Sequence, residues 1–279
     1  MTSSPLTTIS LFGLAPGQKR WGLAQMGTSQ APLRKVAGLR FFKLLGSGAD
    51  NGFGLRPNLH LYGMMAVWES AEAAAAFFAS HPLWVEYQRQ SQEIWTAHLA
   101  PIKAHGLWDG TNPFDYAVEM PPSDGPVAVL TRASIRWWKT PRFWRYVAPT
   151  SAAIAKAQGV LGAVGLGELP VVRQATFSIW ESAQAMQQYA YRDATHKEVI
   201  RLTRQEKWYG EELFARFRVL SSEGTWGAKI RWRACYCKQI RKPERHAEAK
   251  PKHLACLAGS VLTHDPARCS APALHDRHI

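Results

Sequence analysis

Two histidines stand where an imidazole is easiest to aim. Thr195-His196-Lys197-Glu198 matches the S/T-x-x-E capping box, in which the hydroxyl closes the first turn of a helix and the carboxylate reaches back. His196 is therefore expected at the opening of a helix. Ser80-His81-Pro82 offers a second helix start, with Pro near the first turn. Setting His81 against His196 also sets Arg89-Gln90 against Arg204-Gln205, so the two segments read as equivalents. Carrying the second helix on through Val199, Ile200, Thr203, Trp208 and Leu213 puts His196 on or beside its inward face. An inward imidazole on a rigid helix can ligate a metal or a haem iron, or it can be a capping or core histidine with a satisfied hydrogen bond. His81 stands second as a ligand, because Pro82 restricts its backbone and no Glu occupies the matching capping position.

The elements that would position these residues come in two sets. Trp-Glu-Ser occurs at 68–70 and again at 180–182, each time closing a strand-like run and opening a helix-like one, a repeat length of 112 residues. Residues 44–48 (LLGSG) and 161–165 (LGAVG) read as matching glycine-interrupted segments upstream. Strands are expected at 7–14, 40–45, 59–68, 127–135, 160–167 and 171–180, with helix around 33–36 and over 143–158. Each copy thus reads strand, helix, strand, strand, helix. The expected class is α+β: two tandem ferredoxin-like repeats, 1–118 and 119–226, joining their sheets into one barrel-like unit.

Beyond residue 226 the composition shifts. Residues 228–279 hold eleven Lys or Arg against four Asp or Glu, five of the ten His and all four Cys. No apolar period survives there, so 227–279 is expected to be a disordered basic tail. Cys235, Cys237, Cys256 and Cys269 lack the paired spacing of a structural zinc site. The remainder has no Cys, and its first residues show neither a basic region nor a long apolar run. A cytoplasmic protein without signal peptide or transmembrane helix is expected, peripheral at a membrane if it meets one.

Twelve Trp is a high count for 279 residues, and they cluster as Trp137-Trp138, around Phe143-Trp144-Arg145-Tyr146 and at Trp208-Tyr209. Large stiff rings pack cores, and they also line pockets for a polyene or a flat macrocycle. Arg136, Lys139, Arg142 and Arg145 interleave with them, yet no nucleic-acid motif accompanies the pattern, so no nucleic-acid partner is expected. Gly165-x-Gly167 runs into Pro170 and lacks a third Gly, and neither a phosphate-cradling lysine loop nor a GxSxG elbow is present. No catalytic acid, base or nucleophile is assigned. A redox enzyme built this way would draw electrons from a partner protein.

The ordered blocks 21–26 (WGLAQM), 42–48 (FKLLGSG), 130–135 (LTRASI) and 174–180 (QATFSIW) resemble the spheroidene monooxygenases, the acyclic carotenoid 2-ketolases, and the likeness runs from about residue 8 to 217. The resemblance implies a haem-containing oxygenase fed by reduced ferredoxin. Such an enzyme hydroxylates C2 of spheroidene or a related acyclic carotenoid and oxidises it further to a ketone. It implies His196 as the proximal haem ligand, with His81 next in line, and offers Arg204, or Arg201, to the haem propionates. Phe42, Met64 and Phe177 lie on strands whose facing the sequence leaves open. A lipid-dissolved substrate further implies peripheral membrane contact, for which the residues around 137–145 are suited. The alternative is a non-haem small-molecule-binding module on the same tandem scaffold.

Overall fold

The computed structural model describes residues 4–227 except 51, 53, 119–124, 156, 170 and 193; the side chains of 147–153, 155, 191, 192, 194–197, 199 and 200 are likewise outside the description. The basic tail expected at 227–279 therefore lies, from residue 228 on, outside the described residues.

Alternation of inward and outward side chains builds β1 (Leu6–Leu14), β2 (Leu39–Gly48) and β3 (Pro57–Trp68), with helices α1 (Lys19–Thr28) and α2 (Gln30–Leu33) between the first two. Helices α3 (Ala71–Ser80) and α4 (Pro82–Gln90) then lead to β4 (Ser91–Gly106). The same order recurs as β5 (Val127–Ile135), a short 3₁₀ turn at Trp137–Lys139, α5 (Thr140–Ala155), β6 (Val160–Leu169), β7 (Arg173–Trp180), α6 (Ala183–Arg192), α7 (Ala194–Glu206) and β8 (Tyr209–Gly224). The class is α+β with an all-antiparallel sheet, closed as a barrel in the order β1-β3-β2-β6-β7-β5-β8-β4. Closure leaves no free sheet edge.

The doubled Trp-Glu-Ser has a mechanical meaning. Trp68 and Trp180 end their strands fully buried, with indole N–H groups donating to Thr8 Oγ1 at 2.9 Å and Ser178 Oγ at 3.0 Å. Ser70 and Ser182 then cap α3 and α6, accepting from the Ala73 and Ala185 N–H at 3.1 Å each. Each cap is worth about 1 kcal/mol. Between them, the Glu69 and Glu181 N–H groups donate to the carbonyls of Gly38 and Gly159, which sit at φ +74° and +76°. A Cβ on either glycine would come within 2.5 or 2.6 Å of Ala73 or Ala185. Left-handed backbone and close approach both demand Gly at these two positions.

Three expectations need correction. Each half ends on a strand, not a helix: β4 and β8 run 16 residues apiece. Bulges at His98/Leu99 and Pro101/Lys103 break the period of two through which they would have been recognised. The second helix ends at Glu206, and Lys207 at φ +51° turns the chain, so Trp208 falls in the turn and Leu213 on β8. The glycine-interrupted segments are not equivalents, because Leu39 and Val160 both pair with the Trp of the motif, which sets Leu44 against Gly165.

Inward residues fill the barrel. Ile9, Leu11, Met65, Trp95, Leu130, Val164, Phe177 and Phe217 form one core, and the loop after β4 adds Trp108 and Phe114. One end of the lumen is closed by charge. Arg132, whose side chain is 1 % exposed, pairs with Asp109, Glu168 and Glu211, while Lys43 pairs with Asp109 and Glu168. The Asp109 and Gly110 N–H groups donate to the Glu211 carboxylate at 2.9 and 2.8 Å. Every acid in this plug faces a cation or a backbone donor.

Candidate active site

Outside the barrel the two helix layers differ sharply. Trp68 and Trp180 set the comparison, since Leu6 and Val127 pair with them at the starts of β1 and β5. Counting along the outward positions, β1 presents Ser10 and Phe12 where β5 has Thr131 and Ala133. In the same way β3 presents Tyr62 and Met64 where β7 has Gln174 and Thr176, and β2 presents Phe42 and Leu44 where β6 has Ala163 and Gly165. At five of these six positions a large apolar side chain in the first half gives way to a small or polar one in the second; Ser10 against Thr131 is the exception.

The consequence is visible in packing. Phe12 is buried against Trp84 and Tyr87, and the first layer also buries Leu44, Tyr62, Met64 and Phe77. The buried set of the second layer is Val127, Val129, Ile154, Trp180 and Met186. Ser10 is wholly buried and bonded to Thr96 at 2.8 Å, whereas Thr131 is exposed although β5 lies between β7 and β8. The outer face of β5 is thus open to solvent at Thr131. Helix α4 lies against β4, while among the described residues its counterpart α7 makes its close backbone approaches to α5 and α6.

On α7 the described side chains of Leu202 and Thr203 are buried, and those of Glu198, Arg201, Arg204 and Gln205 are exposed. By helical register, position 196 stands two turns before Thr203, on the buried face. The His196 side chain itself lies outside the described residues. Its helix begins at Ala194, so Thr195 and His196 fall within the first turn, and Glu198 accepts from Arg201 at 2.8 and 2.7 Å. Glu198 thus serves a surface ion pair.

The other sequence candidates scatter. His81 caps α4, its Nδ1 accepting from the Leu83 N–H at 3.2 Å, and its ring stacks on Phe77 with centroids 4.8 Å apart. That imidazole spends its Nδ1 on the helix cap and one ring face on Phe77. Phe177 faces the filled lumen, whereas Phe42 and Met64 face the first helical layer. Arg142 is held in a two-pronged pair with Glu206 at 2.6 Å, and this side-chain bond raises its pKa and lowers that of Glu206.

Several residues of this region carried no sequence signal. Arg216 and Arg218 project outward from β8, and each has a buried Nε without a hydrogen-bond partner among the described residues. They are cations beneath the second layer with unspent donors, suited to an acidic group. Phe214, next to Thr131 across the ladder, stacks on His105 with centroids 5.1 Å apart. Burial pushes the Tyr209 phenol above its ordinary pKa. Only register counting between the halves, with the missed strands in hand, would have exposed this set.

No protein-family model matches the chain. In fold it is similar to aldoxime dehydratase, at TM-score 0.51 and 10% identity over 77% of this chain and 81% of that one. A second aldoxime dehydratase, in complex with butyraldoxime, gives 0.50 at 10% identity, over 77% of this chain and 79% of that one. Sequence relatives carry more. The spheroidene monooxygenase of Rhodobacter capsulatus is 37% identical over 227 residues, covering 81% of this chain and 94% of that protein. Those of Cereibacter sphaeroides and Rubrivivax gelatinosus are 37% and 41% identical, over 80% and 77% of this chain and 69% and 82% of theirs. Identity at this level over nearly the whole described fold places the chain in the spheroidene monooxygenase family.

Proposed function

We propose that the chain is a carotenoid monooxygenase whose reaction centre is the open cleft between α7 and the outer face of β5, β6 and β7. One observation carries the location: Thr131 is exposed in mid-sheet, in the half where Ala133, Thr176 and Gly165 stand in place of Phe12, Met64 and Leu44. An outer sheet face carrying small residues beneath α7 suits a flat macrocycle, and haem is the group we assign to it. Among the described residues no three His, Cys, Asp or Glu side chains gather as a protein-only metal site needs. A lone histidine such as His196 suits an iron that a macrocycle already holds. Arg216 and Arg218 are the cations placed to take propionates, in preference to the exposed Arg204.

Bound haem would supply dioxygen activation, with electrons from reduced ferredoxin. The protein's own part is to exclude water, seat His196 on the buried face of α7, and hold one carbon of an acyclic carotenoid, C2 in this reading, over the Thr131 floor. Two successive oxygenations at that carbon give a gem-diol, which loses water to the ketone. The recurring element order supports a further reading, that the halves are copies of one ferredoxin-like unit. In that reading the first copy keeps its packed layer and the second has opened its own.

The visible spectrum tests this directly. The purified protein, reconstituted with haem, is expected to show a Soret band that is lost or strongly shifted in His196→Ala and unaffected in His81→Ala. A protein that takes up no haem would favour the non-haem binding module; haem kept unchanged in His196→Ala would move the ligand elsewhere.

Substrate solubility places the enzyme at a lipid surface. No described helix is long and apolar enough to cross a membrane. Trp137 and Trp138 are 76 % and 55 % exposed, beside the exposed Arg136 and Arg145, and such rings with neighbouring cations insert at lipid headgroups. Replacing both Trp with Ser is expected to cut co-sedimentation with anionic vesicles about tenfold, the effect of losing two interfacial aromatics. Undiminished binding would remove this patch as the contact.

A further inference from the structure

The first 49 residues carry six Lys or Arg and no Asp or Glu. Five of the six, Lys19, Arg20, Arg34, Lys35 and Arg40, are exposed on and around α1 and α2. Soluble surfaces usually mix both signs, so a stretch of one sign suits an anionic partner. The same surface is also apolar in places: Leu23 of α1 is 58 % exposed, and Leu55, next to the exposed Arg56, is 60 % exposed.

Two recesses lie beside α1. The first, of ≈ 210 Å³, is apolar and sits over the short seam where β2 meets β6 at Gly46↔Gly167 and Ser47↔Leu166. Leu23 and Met26 wall one side and Trp144 of α5 the other, with Leu55 at its lip. The second, of ≈ 420 Å³, is polar and lies farther back along β2, from Leu39 to Leu44, bordered by Gln30, Arg34 and Arg40. Met26 and Glu168 line both, so the recesses are neighbours along one strand. From Arg40 to Gly46 is six residues, about 20 Å.

The cations of the polar recess differ in what they have left to give. Lys43 is spent on Asp109 and Glu168. Glu168, the acid that lines both recesses, is held by Lys43, Arg132 and the Trp108 N–H. Arg34 and Arg40 make no ion pair and no side-chain hydrogen bond among the described residues; Arg40 has the Tyr116 ring, 5.8 Å from its guanidinium. Two unspent planar forks favour a phosphate. An anion that carries an apolar tail fills both recesses, whereas inorganic phosphate fills one.

We propose that the two recesses form one site for an anionic phospholipid, with its phosphate between Arg34 and Arg40 and an acyl chain in the groove between Leu23 and Trp144. The site goes beyond the oxygenase reading and uses none of the residues placed at that cleft. A zwitterionic headgroup brings its own cation to the arginines, so the site selects net negative lipid. The turn that bears the exposed Trp137 and Trp138 leads directly into α5, whose Trp144 walls the groove, so a lipid seated here continues the proposed headgroup contact.

Calorimetric titration with dioctanoylphosphatidylglycerol below its micelle concentration tests the site, because monomeric lipid offers no surface on which Trp137 and Trp138 could act. Its binding is expected to be at least about tenfold tighter than that of dioctanoylphosphatidylcholine. Arg34→Gln and Arg40→Gln should each weaken it about tenfold, the lower end of what a hydrogen bond to a charged group contributes. Leu23→Gln should weaken the lipid about fivefold through lost apolar cover and leave the affinity for inorganic phosphate unchanged. All three side chains are exposed, so thermal midpoints without lipid should match the wild type. Equal affinity for the two lipids, or wild-type affinity for phosphatidylglycerol in the Arg34→Gln/Arg40→Gln double variant, overturns the proposal. Inorganic phosphate binding as tightly as the lipid, with Leu23→Gln without effect, reduces the site to a phosphate site and also overturns it. Tighter binding of polyglutamate gives the face to an acidic protein and does the same. No arm reads haem or turnover, so failure here is distinct from failure of the oxygenase reading.

Discussion

Arg132→Met is expected to destabilise the protein by about 3–5 kcal/mol at pH 8, the usual result of stripping one partner from a buried ionic network. The guanidinium is 1 % exposed and pairs with Asp109, Glu168 and Glu211 at once, so its removal leaves Asp109 with Lys43 and Arg173, Glu168 with Lys43 and the Trp108 N–H, and Glu211 with backbone N–H groups and no cation among these pairs. Trp108, whose indole N–H donates to Glu168 at 2.9 Å and whose ring lies 5.6 Å from the Arg132 guanidinium, loses a stacking partner as well. The pH dependence distinguishes electrostatics from packing. In the wild type, burial raises the Asp109 and Glu211 carboxyls; for Asp109 the Lys43 bond and nearby cations outweigh it, and for Glu211 the Gly110 and Asp109 N–H groups and Arg132 do so. Both end below their ordinary values, so the stability they contribute is present above about pH 4 and is lost as pH falls through the lowered values. Without Arg132 both carboxyls lose part of what holds them down while the Lys43 bond and the backbone N–H groups remain, so their folded pKa values move back up toward the ordinary range. The deficit of the variant should therefore hold level from pH 8 to about pH 5 and shrink as pH falls through the carboxylate range below it, in urea titrations. A deficit below about 1 kcal/mol, or one independent of pH, would mean that the plug is incidental.

How much of this was legible in the chain depends on what each element announces. The six expected strands are apolar, β-branched and regular, and all six form. β4 and β8 are long but bulged and studded with Glu, His, Lys and Arg, because their outer faces carry the helices' polar neighbours and their ends carry the plug. The Trp-Glu-Ser doublet was visible, but its partners Gly38 and Gly159 were not, since a carbonyl acceptor leaves no mark on residue type. The ionic plug draws Lys43, Asp109, Arg132, Glu168 and Glu211 from five separate segments, and only barrel closure brings them together. His196 is proposed from its helix-opening context. The proposed cleft beneath was not legible, because Ala133, Thr176 and Gly165 are unremarkable until they are set in register against Phe12, Met64 and Leu44.

That register makes the strongest demand on the proposed site. If the second layer is open because its residues are small, then restoring the first layer's residues should close it without harming the fold. Ala133→Phe with Thr176→Met places in β5 and β7 the side chains that β1 and β3 already bury at the equivalent points. Small-to-large changes in a packed core cost about 1–3 kcal/mol, but here the added volume enters a space that leaves Thr131 exposed. The thermal midpoint is expected to stay level or rise, by up to about 1 kcal/mol of added stability. Haem uptake should fall at least about 100-fold, because a macrocycle cannot share the slot with a phenyl ring and rigid overlap is not relieved by small shifts in a close-packed layer. Soret absorbance per mole of protein, read alongside thermal unfolding, checks both halves of the expectation together. A double variant that unfolds early would show the layer to be already filled. One that folds well and still takes up haem would place the reaction centre outside this cleft, and with it the reason the two halves of the barrel differ.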